Sequence, residues 1–109
     1  MNADEFKKEL DNIKNQIVTK FNPKEILLFG SLAKGTFTKD SDIDLCIIKD
    51  TDNKRVLISE IYTEVDCNVP YDIVLYTSDE WENFKHDKNT FAYSIINTGV
   101  KIYGWYFKI

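Results

Sequence analysis

Residues 28–45, reading LFGSLAKGTFTKDSDIDL, constrain this chain more than any other stretch, because they join a glycine-serine turn at the end of an apolar run to two carboxylates one residue apart. Ile26, Leu27, Leu28 and Phe29 read as a buried strand, and Gly30 and Ser31 follow where such a strand turns into a helix. A polar loop through residues 36–41 then leads to a second strand, expected over residues 42–48. Side chains alternate between the faces of a strand, so Asp42 and Asp44 point one way while Ile43 and Leu45 enter the packing. The pattern brings two like charges together.

Like charges a few ångströms apart repel, and burial raises the cost, so the pair requires a compensating cation or a raised pKa. Hard carboxylate oxygens suit Mg²⁺, which takes one or two carboxylates together with phosphate oxygens and water. The Gly-Ser turn offers a place for the phosphates: backbone N–H groups at a helix start favour anions, glycine permits close approach, and the Ser31 hydroxyl adds a hydrogen bond. Lys34 either approaches phosphate from this turn or extends into solvent. A Walker A loop is excluded, since Gly35 is followed by Thr36 and Phe37 where that motif needs Lys and then Ser or Thr.

At 109 residues the chain is expected to form one α/β domain, with a real core and no room for a second, acceptor-holding domain. The net charge of −4 argues against an extended nucleic-acid face, which needs Lys and Arg to neutralise phosphates. Lys7, Lys8, Lys14 and Lys20 are interleaved with Asp4, Glu5, Glu9 and Asp11, as on a solvated helical face. Cys46 and Cys67 form no CxxC motif, no secretory leader is evident, and no apolar run approaches the ~20 residues of a membrane span, so a reduced, cytoplasmic protein with no membrane contact is expected.

The remaining elements are read from periodicity. Phe6, Leu10, Ile13, Ile17 and Phe21 make one stripe of a first helix that Asn22 and Pro23 end. Leu57, Ile58, Ile61 and Val65 give a second long helix after a loop over residues 50–53, predicted to pack beside the first. Tyr71 to Tyr76 read as a strand with Asp72, Val74 and Tyr76 on one face. Thr77 and Glu80 form a capping box for a helix containing Trp81 and Phe84, a further helix spans residues 90–98 with Gly99 at its end, and residues 100–103 add a short strand. His86, among Lys85, Asp87 and Lys88, reads as a solvated loop residue outside any site. Trp105, Tyr106 and Phe107 either complete the core or form a contact patch.

The run G-S-x-A-x-G (Gly30, Ser31, Ala33, Gly35), followed by S-D-x-D-L (Ser41, Asp42, Asp44, Leu45) and by Asp72 in VPYDIVLY, resembles the nucleotidyltransferase superfamily related to DNA polymerase beta, and in so short a chain its minimal nucleotidyltransferase group. The resemblance implies a mixed β-sheet flanked by helices. It implies Mg²⁺, in two ions, held by Asp42, Asp44 and Asp72, which are also the catalytic residues, and a nucleoside triphosphate held by Gly30, Ser31, Lys34 and Ser41. Asp72 would take the acceptor proton or stabilise the acceptor alkoxide, and the residues do not choose between these roles. Ser41 has a second use, bonding backbone to hold the loop before Asp42.

The same resemblance implies an antitoxin that transfers AMP from ATP to a tyrosine of a HEPN-domain ribonuclease toxin. Two alternatives stand beside it: an antitoxin acting by occlusion alone, and transfer to a small hydroxylated molecule such as an aminoglycoside. No motif encodes the base of the nucleotide.

Overall fold

A computed structural model describes residues 2–104. The first helix, α1 (Ala3–Phe21), begins where the Asn2 side chain accepts the Glu5 N–H at 2.9 Å and the Glu5 carboxylate accepts the Asn2 N–H in return. It stops at Asn22, whose φ of 49° places it in the left-handed region. Phe6, Ile13, Ile17 and Phe21 of its stripe are buried, and Leu10 packs partly against them.

The chain then runs through β1 (Glu25–Phe29), α2 (Gly30–Lys34), β2 (Ile43–Ile48), α3 (Lys54–Glu64), β3 (Tyr71–Tyr76), α4 (Ser78–Phe84), α5 (Phe91–Thr98) and β4 (Val100–Tyr103). The four strands form one mixed sheet in the order β3-β2-β1-β4. β1 is antiparallel to both neighbours, whereas β2 and β3 run parallel, joined by the α3 crossover.

Alternation splits the strand residues between two cores. On the first face Ile26, Leu28, Ile43, Leu45, Ile47, Ile73 and Leu75 pack against α1 and against Leu57 and Ile61 of α3, so the two long helices do lie side by side. Each such side chain, fully buried, contributes about 1.5–3 kcal/mol. On the second face Leu27, Cys46 and Ile48 meet Trp81 of α4 and Ala92 and Ile95 of α5. The helices of this face are short, with seven and eight residues.

One boundary differs in substance from the sequence expectation, and one expected boundary is reached by a different geometry. β2 starts at Ile43 instead of Asp42, because its ladder to the β3 side opens with the Ile43 N–H on the Pro70 carbonyl at 3.0 Å. Gly99 ends α5, but with φ −88° and ψ 177° and so not as a left-handed cap. A Cβ there would lie 2.6 Å from the Ile95 carbonyl oxygen and 2.7 Å from that of Leu28, so glycine is required by close backbone approach. The Thr77–Glu80 capping box is present. Both cysteines are free. Among the described residues no helix is long and apolar enough to cross a membrane. Trp105, Tyr106 and Phe107 lie outside the described residues.

Candidate active site

The site begins at the β1–α2 junction. Phe29 is extended, and Gly30 turns the chain with φ of 74°, a conformation that L side chains rarely adopt. A Cβ on Gly30 would overlap the Asp44 carboxylate, so the turn and the acid are in direct contact and space excludes a side chain as firmly as φ does. Ser31, half-buried, opens the first turn of α2, and its carbonyl accepts the Thr36 N–H at 3.0 Å. Lys34 is exposed in the last turn of this short helix.

The loop from α2 to β2 is held by its own polar groups. The Thr38 N–H donates to the Ser41 hydroxyl at 2.8 Å, and the Ser41 N–H returns to the Thr38 carbonyl at 3.1 Å. Phe37 anchors the loop to α1 through an edge contact with Phe6 at 5.2 Å. Ser41 thus serves the loop, as its position in the sequence suggests, and delivers the chain to Asp42.

Asp44 lies level with Phe29 on one side and with Asp72 on the other. Cross-strand partners project from the same face, and neighbouring strands are ~4.8 Å apart, so the Asp44 and Asp72 carboxylates emerge together. Asp44 is half-buried; Asp42 and Asp72 are exposed. Burial, then the charge of Asp72, then that of Asp42, raise the Asp44 pKa above the ordinary carboxylate value. Asp44 therefore senses both other acids, one from its own segment and one from the neighbouring strand β3.

Do these residues suit a divalent cation? Among the described residues, no hydrogen bond or ion pair engages the carboxylates of Asp42, Asp44 or Asp72. Their oxygens are hard donors and their mutual repulsion is what a cation would relieve. In donor chemistry and electrostatics they fit. They do not make a closed cage, because no group of three or more acidic, His or Cys side chains among the described residues is gathered tightly enough to hold an ion by itself. Such an open carboxylate set suits an ion that shares its ligands with a phosphate.

Other features lie elsewhere. His86 is exposed in the turn after α4. An open cleft of about 600 Å³ is lined by Asn12, Gln16, Asp66, Cys67 and Asn68, none of them an expected site residue. Phe91, legible in the sequence only as a residue presented by the helix over residues 90–98, meets the ring of Phe29 edge-on at 5.4 Å and remains 53% exposed, an apolar shoulder beside the strand position level with Asp44. The period-two placement of Phe29 after Leu27 was the available signal.

A Gly-Ser turn in contact with an acid of the neighbouring strand, a second acid level with it on a parallel strand and a mixed sheet between helices define a nucleotidyltransferase-type α/β domain. A family model described as the nucleotidyltransferase domain matches residues 10–97, and the chain belongs to that family. A Methanocaldococcus jannaschii protein described as a "putative protein adenylyltransferase" is 50% identical over 34 residues, 31% of this chain and 34% of the relative, so the match spans about a third of that protein. A crystal structure described as a "putative nucleotidyltransferase" superposes with a TM-score of 0.50 at 26% identity, covering 71% of this chain and 87% of the other. A second, from Sulfolobus solfataricus and described in the same words, has a TM-score of 0.56 over 95% of this chain and 90% of its own; at 18% identity it speaks to the fold alone.

Proposed function

We propose that this chain transfers a nucleoside monophosphate, AMP from ATP, to a protein hydroxyl, and that the acceptor is a tyrosine of a HEPN-domain toxin that the modification silences. The observation that carries the reading is the contact of Gly30 with Asp44, with Asp72 level beside it, which sets the glycine-serine turn directly against the first of two neighbouring acids. The adenylyltransferase description of the M. jannaschii relative supports the choice of AMP and of a protein acceptor.

In the proposed reaction the acceptor oxygen bonds to the α-phosphorus, the bond from that phosphorus to the bridging oxygen breaks, and pyrophosphate leaves with the electron pair. Gly30 and Ser31 hold the β- and γ-phosphates and so orient the α-phosphorus for in-line attack. Lys34 reaches the outer phosphates from the end of α2. Ser41 fixes the loop that delivers Asp42. Asp42, Asp44 and Asp72 would hold the divalent cation, Mg²⁺, which supplies charge neutralisation at the phosphoryl oxygens. The exposed Asp72 carboxylate either accepts the acceptor's proton and passes it to solvent or stabilises the acceptor alkoxide.

Incubating the chain with Mg-ATP and a HEPN-domain protein, then measuring intact mass, tests the proposal. One or more AMP increments on a toxin tyrosine, absent with Asp44→Asn, are expected. An unmodified toxin whose activity is nevertheless suppressed would overturn it in favour of occlusion.

A further inference from the structure

On the side of the sheet opposite the acids, α1 carries a polar stripe tied to the segment that leads into β3. Glu9, Asn12 and Gln16 form one stripe on α1 and reach across to the segment between α3 and β3. The Gln16 side-chain amide pairs with the Asp66 backbone in both directions, donating to its carbonyl at 2.7 Å and accepting its N–H at 2.9 Å. Asn12 donates to the same carbonyl at 3.1 Å. The Glu9 carboxylate accepts the Asn68 N–H at 3.3 Å, the Asn68 side-chain amide at 3.2 Å and the Cys67 thiol at 3.6 Å.

Residues 69–72 connect these bonds to the site. Val69 is buried in the core beneath α1, and the Pro70 carbonyl accepts the Ile43 N–H, the bond that opens the β2 ladder between Asp42 and Asp44. Two residues beyond Pro70, Asp72 lies level with Asp44. Side chains on the α1 side cannot touch a substrate held on the acid side, yet they fix the segment from which Asp72 is hung.

We infer that the Glu9–Asn12–Gln16 stripe is a positioning clasp that sets the height of Asp72 against Asp44 through residues 66–70. Its catalytic meaning rests on the nucleotidyl-transfer reading; its geometry does not. The clasp borders the open cleft, so water can replace the bonds that a truncation removes, and the variants keep their core.

The test combines amide hydrogen exchange with calorimetric titration of the protein by the Mn²⁺ complex of a non-hydrolysable ATP analogue, used as the metal probe because the open carboxylate set shares its ion with phosphate. Gln16→Ala, and more strongly the double variant Glu9→Ala/Gln16→Ala, is expected to speed exchange of the Ile43 N–H and to weaken binding of the Mn²⁺–nucleotide complex, each by about tenfold. Gln16→Glu, which keeps the acceptor and loses the donor, falls between. Asn53→Ala removes the α3 cap that accepts the Val56 N–H at 3.1 Å and serves as control, lowering stability without a selective change at Ile43 or in affinity for the Mn²⁺–nucleotide complex. Unchanged Ile43 exchange in the double variant would overturn the clasp. Absence of binding of the Mn²⁺–nucleotide complex by the unsubstituted chain would instead strike at the nucleotidyl-transfer reading, and the Ile43 rates would still decide the clasp.

Discussion

The two faces of the sheet solve different problems with the same strands. On the first, α1 and α3 lie over Ile43, Leu45, Ile47, Ile73 and Leu75. On the second, short α4 and α5 cover Cys46 and Ile48, while Asp44 and Asp72 stand towards the opposite end of the strands. A strand of six residues can therefore be core on one side and site on the other, with stability drawn from the first face and charge tolerated on the second. Asp44 shows the cost: burial and its acidic neighbours make its ionised form unfavourable in the fold.

That division can be broken at either face. The largest effect is expected from Asp44→Asn, which should lower the proposed AMP transfer by roughly a thousandfold, measured by labelled-ATP incorporation. The same variant should raise the melting temperature. A pKa above the ordinary value means that ionising this acid is less favourable in the folded than in the unfolded chain; the penalty is present at neutral pH, fades as pH falls through the folded pKa, and is absent from the amide. A variant both inactive and less stable would contradict the contrast between the faces.

Ile13→Ala, at a fully buried position under the first face, should instead cost about 2–5 kcal/mol in urea unfolding. Gly30→Ala couples the two faces' roles: left-handed strain and overlap with the Asp44 carboxylate should cost about 1–3 kcal/mol and disturb transfer beyond what the stability loss explains. The smallest effect belongs to Asp50, whose carboxylate accepts the Ser78 N–H at 2.8 Å and pairs with Lys24 at 3.0 Å. The Ser78 backbone bond and then Lys24 hold its pKa down at about 2. Its contribution is complete above the unfolded value of ~3.9 and is lost as pH falls towards 2, so Asp50→Asn should flatten that part of an acid unfolding curve.

Local signals carried most of this fold. The stripe of α1, the alternation in β1, β2 and β3 and the Thr77–Glu80 box each announce an element within a few residues, because periodicity and capping are local physics. The acids Asp42, Asp44 and Asp72 were legible as residue types at suitable positions. What no local rule supplies is the pairing of β2 with β3 in parallel, the order β3-β2-β1-β4, or the reach of Gln16 to Asp66, 50 residues away. Gly99 shows the same limit: its place at the end of α5 was readable, but the Leu28 carbonyl that forbids a side chain there belongs to another element.

The parallel register has a thermodynamic consequence. Residues 44 and 72 become neighbours only when the crossover closes, so a ligand recognising both distinguishes the native ensemble from every partly assembled one. Such a ligand would act as a folding effector: by mass action it deepens the native well in proportion to the logarithm of its concentration, and it offsets the repulsion that zipping these strands creates.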